Sequence, residues 1–266
     1  MFFDLVNQGL LEKRRATLTD NNADLIGCYL RLRDTPEDVI RELKRLASGY
    51  KKDPEAHFYK IRNDRFNPKR VALRNGWALN SRDYTASLAA MLIYLNRTGF
   101  NGLFRMNSKG LFNVPLGRYK NPMICDSGNL QQVAATISRR SIVLKQTTYD
   151  RALRAAKPGD FVYLDPPYAP LSSTALFTSY TAEGFSSDDQ RQLQRTVVDL
   201  ATRGIWVLLS NSTAPEVATL YDGNLEAERA GLRAHKVPAR RSINSDAAGR
   251  GQVLEYVITN IQRNET

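Results

Sequence analysis

The chain has 266 residues, 42% of them hydrophobic, with 38 Lys and Arg against 27 Asp and Glu for a formal net charge of +11. That size supports one large α/β domain or a core with an inserted subdomain, and the positive balance favours a polyanionic partner held with salt-sensitive affinity. Cys28 and Cys125 are too few for a disulfide framework or a thiolate metal site. With His57 and His235 the only histidines, metal-dependent or His-triad chemistry has little material. The longest apolar stretch, Leu88 to Leu95, is too short to span a bilayer. The opening MFFDLVNQGLLEKRR places its charges after an interrupted apolar segment, the reverse of a secretory signal, so a cytoplasmic protein is expected.

In chain order, ATLTD (Ala16 to Asp20) predicts a short strand ending in an acid. NNADLIGCYLRL follows as an apolar-periodic helix capped by Asp20 or Asn21. Thr35-Pro36-Glu37-Asp38 opens a second helix, reaching about Ala47, with a first-turn proline and two acids at the favourable end of the dipole. From residue 48 to 119 basic and aromatic residues interleave, and a mostly helical insertion is expected. It includes the helix TASLAAMLIYLN and a β-hairpin across LFRMNSKGLFNV that turns at Ser108-Lys109-Gly110.

After Pro122 an α/β rhythm sets in: helix NLQQVAATISRR, strand SIVLKQTT, helix DRALRAA, turn Lys157-Pro158-Gly159-Asp160 and strand FVYLD. Ser187 is expected to cap DDQRQLQRTVVDLATR, whose Leu193, Val197, Leu200 and Ala201 share one face and which Gly204 ends. Strand IWVLLSNS, helix PEVATLY and strand VLEYVIT complete a doubly wound α/β sheet with a helical insertion.

The densest chemical signal is Tyr163-Leu164-Asp165-Pro166-Pro167-Tyr168. A strand ending at Asp165 leaves its carboxylate at the carboxyl edge of the sheet, where open α/β sheets bind ligands. Two prolines stop the ladder, and with no N–H and fixed φ they hold the carbonyls of the turn outward as free acceptors. Asp165 and a neighbouring carbonyl can then accept both hydrogens of a planar exocyclic amine, and Tyr168 can stack on its ring. The plainer alternative is a Pro-Pro turn after a buried strand with a solvated Asp.

With these pieces assembled, the chain resembles the Dam family (D12 class) of adenine-specific DNA methyltransferases over nearly its whole length. The likeness rests on YLDPPY and its continuation AP-LSSTA-FT-Y, on LTDNNADLI, on YLNRTGFNGLFRMNSKGLFNVPLGRYKNP and on VPARRSINS. It implies a Rossmann-like methyltransferase sheet over 1–47 and 120–266, with 48–119 as a target-recognition insertion. It also implies S-adenosyl-L-methionine as cofactor, no metal, and methylation of adenine N6 in GATC within double-stranded DNA. The base would flip out of the stack and receive the methyl group directly. Asp165 and the Pro166 carbonyl would orient the amine, Tyr168 would stack on the base, and Asp165 would also border the cofactor. Asp20 would hold the cofactor ribose, against the alternative of an ordinary helix cap.

In the recognition segment the resemblance points to Phe100, Asn101, Leu103, Arg105, Pro115, Arg118 and Tyr119. Arg105 can read a guanine through a bidentate pair, Leu103 and Pro115 can touch a thymine methyl, and Phe100 can wedge into the duplex. A surface hairpin with Phe100 in the core and solvated arginines is the plain alternative. Arg240 and Arg241, with Ser242, would reach phosphates, and Asn244 would shape the surface nearby; a solvated charge pair is the other option. Phe177, Tyr180 and Phe185 could wall a pocket or simply belong to the core.

Relative to the family pattern, the chain starts after the F-x-G-x-G loop, so the first strand and the backbone amides beside the cofactor's methionine moiety are expected to be missing. Two further readings follow: a noncatalytic DNA-binding relative that lost cofactor binding, and an RNA or protein-glutamine methyltransferase sharing the acceptor turn. A monomer in the bacterial cytosol, or one encoded by a phage, is expected, with either an independent or a restriction-modification role.

Overall fold

The computed structural model describes residues 1–76, 78–171, 185–240 and 252–262, and it divides the chain into two compact units, Met1–Ala152 and Leu153–Thr266. The architecture is mixed α/β, with parallel and antiparallel pairing.

In the first unit, α1 (Phe2–Asn7) precedes β1 (Ala16–Asp20), α2 (Ala23–Asp34) and α3 (Pro36–Lys52). The cap of α2 is Asn22, whose side chain accepts from the Asp24 and Leu25 amides. Neither Asp20 nor Asn21 fills that role, because Asp20 still lies in the strand and its carboxylate turns back to the Asn22 amide at 2.7 Å. The α3 helix runs to Lys52 rather than Ala47, since Leu43, Leu46 and Tyr50 keep one buried stripe in phase. Then come α4 (Pro54–Lys60), a π-helical turn (Ile61–Phe66), α5 (Asn67–Ala72), the two-residue strands β2 (Arg74–Asn75) and β3 (Ala78–Leu79), and α6 (Ala86–Thr98). The unit continues with α7 (Ser127–Ile137), β4 (Ile142–Gln146) and most of α8 (Tyr149–Leu153).

The strands β1 and β4 pair in parallel, Ala16 opposite Ile142 and Asp20 opposite Gln146. One apolar core runs from Ala23 of α2 through α3, α4, the π-turn and α6 to Ala134 of α7. Thus the helices between 48 and 98 share their packing with α2, α3 and α7. The apolar stretch Leu88 to Leu95 is its centre, with Leu88, Ala89, Ala90, Met91, Tyr94 and Leu95 almost fully buried.

The second unit holds β5 (Phe161–Leu164), α9 (Ser187–Thr202), β6 (Trp206–Ser212), α10 (Pro215–Tyr221), α11 (Leu225–Arg229), β7 (Arg233–Arg240) and β8 (Gln252–Thr259). Its sheet order is β5-β6-β8-β7, with β5 and β6 parallel and the β6-β8 and β8-β7 pairs antiparallel. Leu193, Val197, Leu200 and Ala201 form the buried stripe of α9. That helix is capped by Ser186, one residue earlier than the spacing suggested, in a reciprocal capping box with Asp189. Gly204, at φ 74°, ends it. The strand β7 has no counterpart among the sequence expectations.

Candidate active site

In the second unit, β5 delivers Asp165 at its carboxyl end, and β6, parallel to it, brings Ser210 alongside. Asp165 is exposed, and its Oδ1 accepts the Ser210 hydroxyl at 2.9 Å. That bond fixes the carboxylate plane, and no described residue donates to the second oxygen. Among the described residues nothing donates to the Pro166 carbonyl either. The Pro167 carbonyl, by contrast, accepts from Gln190 Nε2 at 3.2 Å, so the turn offers one free proline carbonyl where two were expected.

The turn is clamped by buried amides. Asn211, 0% exposed, accepts the Ala169 amide at 3.1 Å and its neighbour's Ser212 amide at 2.8 Å, and donates to Gln190 Oε1 at 3.1 Å. Ser212 Oγ donates to the Ala169 carbonyl at 2.6 Å. Pro167 and Ala169 therefore hang on α9 and β6 through side chains in low-dielectric surroundings, where such bonds are strong and costly to lose. Tyr168 is half-buried and its hydroxyl donates to Glu255 Oε2 at 3.3 Å, Glu255 being brought in by β8. Burial pushes the Tyr168 phenol up; its hydrogen bond with Ser210 opposes this, and the charges of Asp165 and Glu255 reinforce it. The phenol stays protonated at neutral pH.

Sequence reasoning singled out Asp165, Pro166 and Tyr168 but not Ser210, Asn211, Gln190 and Glu255, which the fold brings around them. SNS inside an apolar strand was a usable signal for Asn211, since a buried amide must be paired. Gln190 and Glu255 gave none, because their role depends on which strands become neighbours.

In the first unit, Asp20 ends β1 half-buried, with Oδ1 taken by the Asn22 amide. Its other oxygen has no partner among the described residues. A strand-end carboxylate with a free oxygen fits the hydroxyls of a ribose.

The same unit brings the recognition candidates together. Phe100 is 41% exposed, outside the core, and the following Asn101 takes the left-handed φ of 52°. Arg105 and Pro115 are exposed on opposite limbs, with Arg118 and Tyr119 exposed just beyond. Arg105 Nε donates to Asn113 Oδ1 at 2.9 Å, which steadies the guanidinium and leaves both terminal nitrogens without a described partner. Leu103 is half-buried against the core, with less of its side chain presented outward. The hairpin turns at Asn107–Gly110, and its limbs meet at a single bridge, Met106 with Phe112.

Arg240 is the last residue of β7, paired with Gln252. Arg241, Ser242, Asn244, Phe177 and Tyr180 lie outside the described residues. Among the described residues no helix is long and apolar enough to cross a membrane.

Comparison with known proteins agrees with this geometry. The family described as D12 class N6 adenine-specific DNA methyltransferase matches residues 1–243. A type II methyltransferase of Lactococcus lactis subsp. cremoris, M1.LlaDCHI, is 36% identical over 263 residues, spanning 98% of this chain and 82% of its own length. The DNA adenine methylase of Vibrio cholerae is 36% identical over 91% of this chain and 79% of its own length. That of Escherichia coli K12 is 33% identical over 91% and 78%. The acceptor turn, the strand-end acid and these matches agree: the chain belongs to the D12 class N6 adenine-specific DNA methyltransferases.

Proposed function

We propose that this DNA adenine N6-methyltransferase acts on GATC in duplex DNA, on an adenine flipped out of the stack. The observation that carries the chemistry is a pair of acceptors at the end of β5: among the described residues Asp165 is held by Ser210 through one oxygen, and nothing donates to the Pro166 carbonyl. An adenine amine is a poor nucleophile because its lone pair is delocalised into the ring. Accepting both N–H hydrogens concentrates electron density on nitrogen and aims the lone pair. Asp165 is also placed to take up the proton that nitrogen sheds once it is alkylated. Tyr168, its hydroxyl tethered to Glu255, supplies the stacking face.

The family implies S-adenosyl-L-methionine, which when bound supplies an electrophilic methyl group. Asp20 would hold its ribose, and Asp165 would border it.

Residues 48–119 form the target-recognition insertion on a Rossmann-like methyltransferase sheet. Arg105, whose terminal nitrogens have no partner among the described residues, reads a guanine; Leu103 and Pro115 contact a thymine methyl; Phe100 fills the gap left by the flipped base; and Asn101, Arg118, Tyr119, Arg240 and Arg241 serve the DNA backbone and its surroundings. The net charge of +11 supports a duplex partner. The protein works as a monomer in the cytoplasm.

The deciding experiment incubates the protein with methyl-labelled cofactor and duplexes containing GATC or a one-base change of it. Label should enter GATC alone. Asp165→Ala should lose at least ~10²-fold in transfer, as for removal of a pre-aimed hydrogen-bonding group, while duplex affinity stays within about twofold. Equal labelling of the altered sites would sink the GATC assignment, and retained turnover in Asp165→Ala would remove that carboxylate from the chemistry.

A further inference from the structure

The return limb of the recognition hairpin has two edges. On one, the Leu111 carbonyl accepts from the Asn107 amide at 2.9 Å and the Asn113 amide donates to the Arg105 carbonyl at 3.2 Å, as in any hairpin. On the other edge, where a third strand would pair, side chains of a helix stand in. Arg62 donates to the Val114 carbonyl at 2.9 Å. Asn67 binds Phe112 twice, donating to its carbonyl at 3.0 Å and accepting its amide at 2.9 Å. Arg70 donates to the Gly110 carbonyl at 2.7 Å, and Arg74 donates to the same oxygen. Residues 110, 112 and 114 are alternate positions of a strand, so the limb's three outward carbonyls and the Phe112 amide are taken up.

Helical spacing alone would not produce this match. Asn67 and Arg70, three apart, share one face of α5, and Arg74 follows just beyond it in β2, but a residue five before Asn67 in an α-helix would sit about 140° away from it. Between Ile61 and Phe66 the chain makes a π-turn. Its i→i+5 bonding widens the turn and returns Arg62 to that face. The row is anchored behind by a buried ion pair, Arg70 Nε to Asp24 Oδ1 at 2.6 Å, with the Tyr84 hydroxyl 3.3 Å from the same oxygen. Asp24 is 2% exposed. Phe112, 1% exposed, is pinned edge-on against Phe66, with ring centroids 5.9 Å apart.

We propose that Arg62, Asn67 and Arg70 are positioning residues for sequence recognition. They set the register and tilt at which the hairpin presents Arg105, and so govern discrimination between DNA sequences without touching a base. The π-turn is what makes the row fit. This rests on the reading of the hairpin as the DNA-recognition element.

The test measures, by fluorescence anisotropy on the full chain, dissociation constants for a GATC duplex and for duplexes with one of the four base pairs changed. Two variants remove rungs. Asn67→Leu keeps the branched shape and the number of heavy atoms and deletes both bonds to Phe112. The double variant Asp24→Leu/Arg70→Met removes the buried charges together, which keeps the interior compatible with folding, and deletes the Arg70 bond to Gly110, leaving that carbonyl to Arg74 alone.

Either variant should lower the ratio between altered-site and GATC dissociation constants about tenfold, the size of a lost or misaligned bidentate base contact. Affinity for the altered duplexes should stay within about twofold, because phosphate contacts do not depend on hairpin tilt. A merely structural role would move both affinities together or neither. Arg105→Ala is the control for the underlying reading: if it leaves the ratio unchanged, or the parent protein shows no preference for GATC, the recognition assignment falls and the proposal with it. If Arg105→Ala collapses the ratio and the folded double variant keeps it, the positioning proposal alone is overturned.

Discussion

Replacing Asn211 by Leu gives the sharpest test of how the acceptor turn is held. The side chains share their branching and number of heavy atoms, so no cavity opens, and the change acts chiefly on hydrogen bonding. Asn211 Oδ1 serves the Ala169 amide at 3.1 Å and the Ser212 amide at 2.8 Å, and Nδ2 serves Gln190 Oε1 at 3.1 Å. Leu leaves all three without their partner at a site that is 0% exposed. At ~1 kcal/mol each, the low end for an unsatisfied buried group, the loss is about 3 kcal/mol, which lowers Tm by roughly 6–12 °C.

Catalysis suffers more than stability. Gln190 loses its anchor and with it the fixed bond to the Pro167 carbonyl, so the Pro166 carbonyl and Asp165 drift relative to the base. A displacement of ~1 Å costs ~10²-fold in kcat. Duplex affinity should hold, since Asn211 and Gln190 are themselves buried and make no phosphate contact. Steady-state transfer of labelled methyl groups, thermal unfolding and anisotropy together read the three quantities. Gln190→Met should show the same pattern more weakly. If Asn211→Leu keeps kcat within about threefold and Tm within about 2 °C of the parent, the buried amides do not hold the turn and the reasoning fails.

Three other consequences are measurable. An alanine Cβ at Gly49 would land in the His57 ring, so Gly49→Ala should be destabilised by ~1 kcal/mol despite alanine's helix preference, and Gly49→Ala/His57→Ala should recover; a stabilised single variant would contradict the packing. Burial, then Arg65 and Lys60, holds His57 below the usual histidine range, with Asp53 opposing. The unfolded chain therefore binds the proton first as pH falls. His57's share of stability is full above the ordinary histidine value, declines below it, and levels off once pH passes the folded value. Replacing His57 with Gln should flatten the fall of Tm between pH 7.5 and 5.5, and an unchanged slope would refute the assignment. The Cys28 thiol is pushed up to about 12 by burial and by Asp24, so native protein at pH 8 should alkylate there far more slowly than free cysteine; alkylation at the free rate would show the site open.

What the sequence disclosed was local. Asp165-Pro166-Pro167 announces itself because an apolar strand, an acid and two rigid residues are contiguous, and β1, β4, β5 and β6 follow from short apolar runs. The residues that make the turn work are distributed over α9, β6 and β8, and no spacing along the chain encodes their meeting. The strand β7 escaped because RAHKVPAR alternates weakly and contains Pro238, which a sheet edge tolerates and β7 occupies. The π-turn escaped for a different reason: IRNDRF reads as ordinary helix, and the wider turn is imposed by the carbonyls Arg62 and Asn67 must reach. Gly110 was legible as a turn residue, but not the closeness of the Arg74 guanidinium, which leaves no room for a Cβ.

Ala169 is gripped at both its amide and its carbonyl by the end of β6. It works as a mechanical stop. A pull on the backbone beyond Ala169 would be taken up by the sheet through these two bonds. The residues Asp165 to Tyr168 are thereby fastened to the sheet at their far end as well as through β5, which keeps the exposed carboxylate in place.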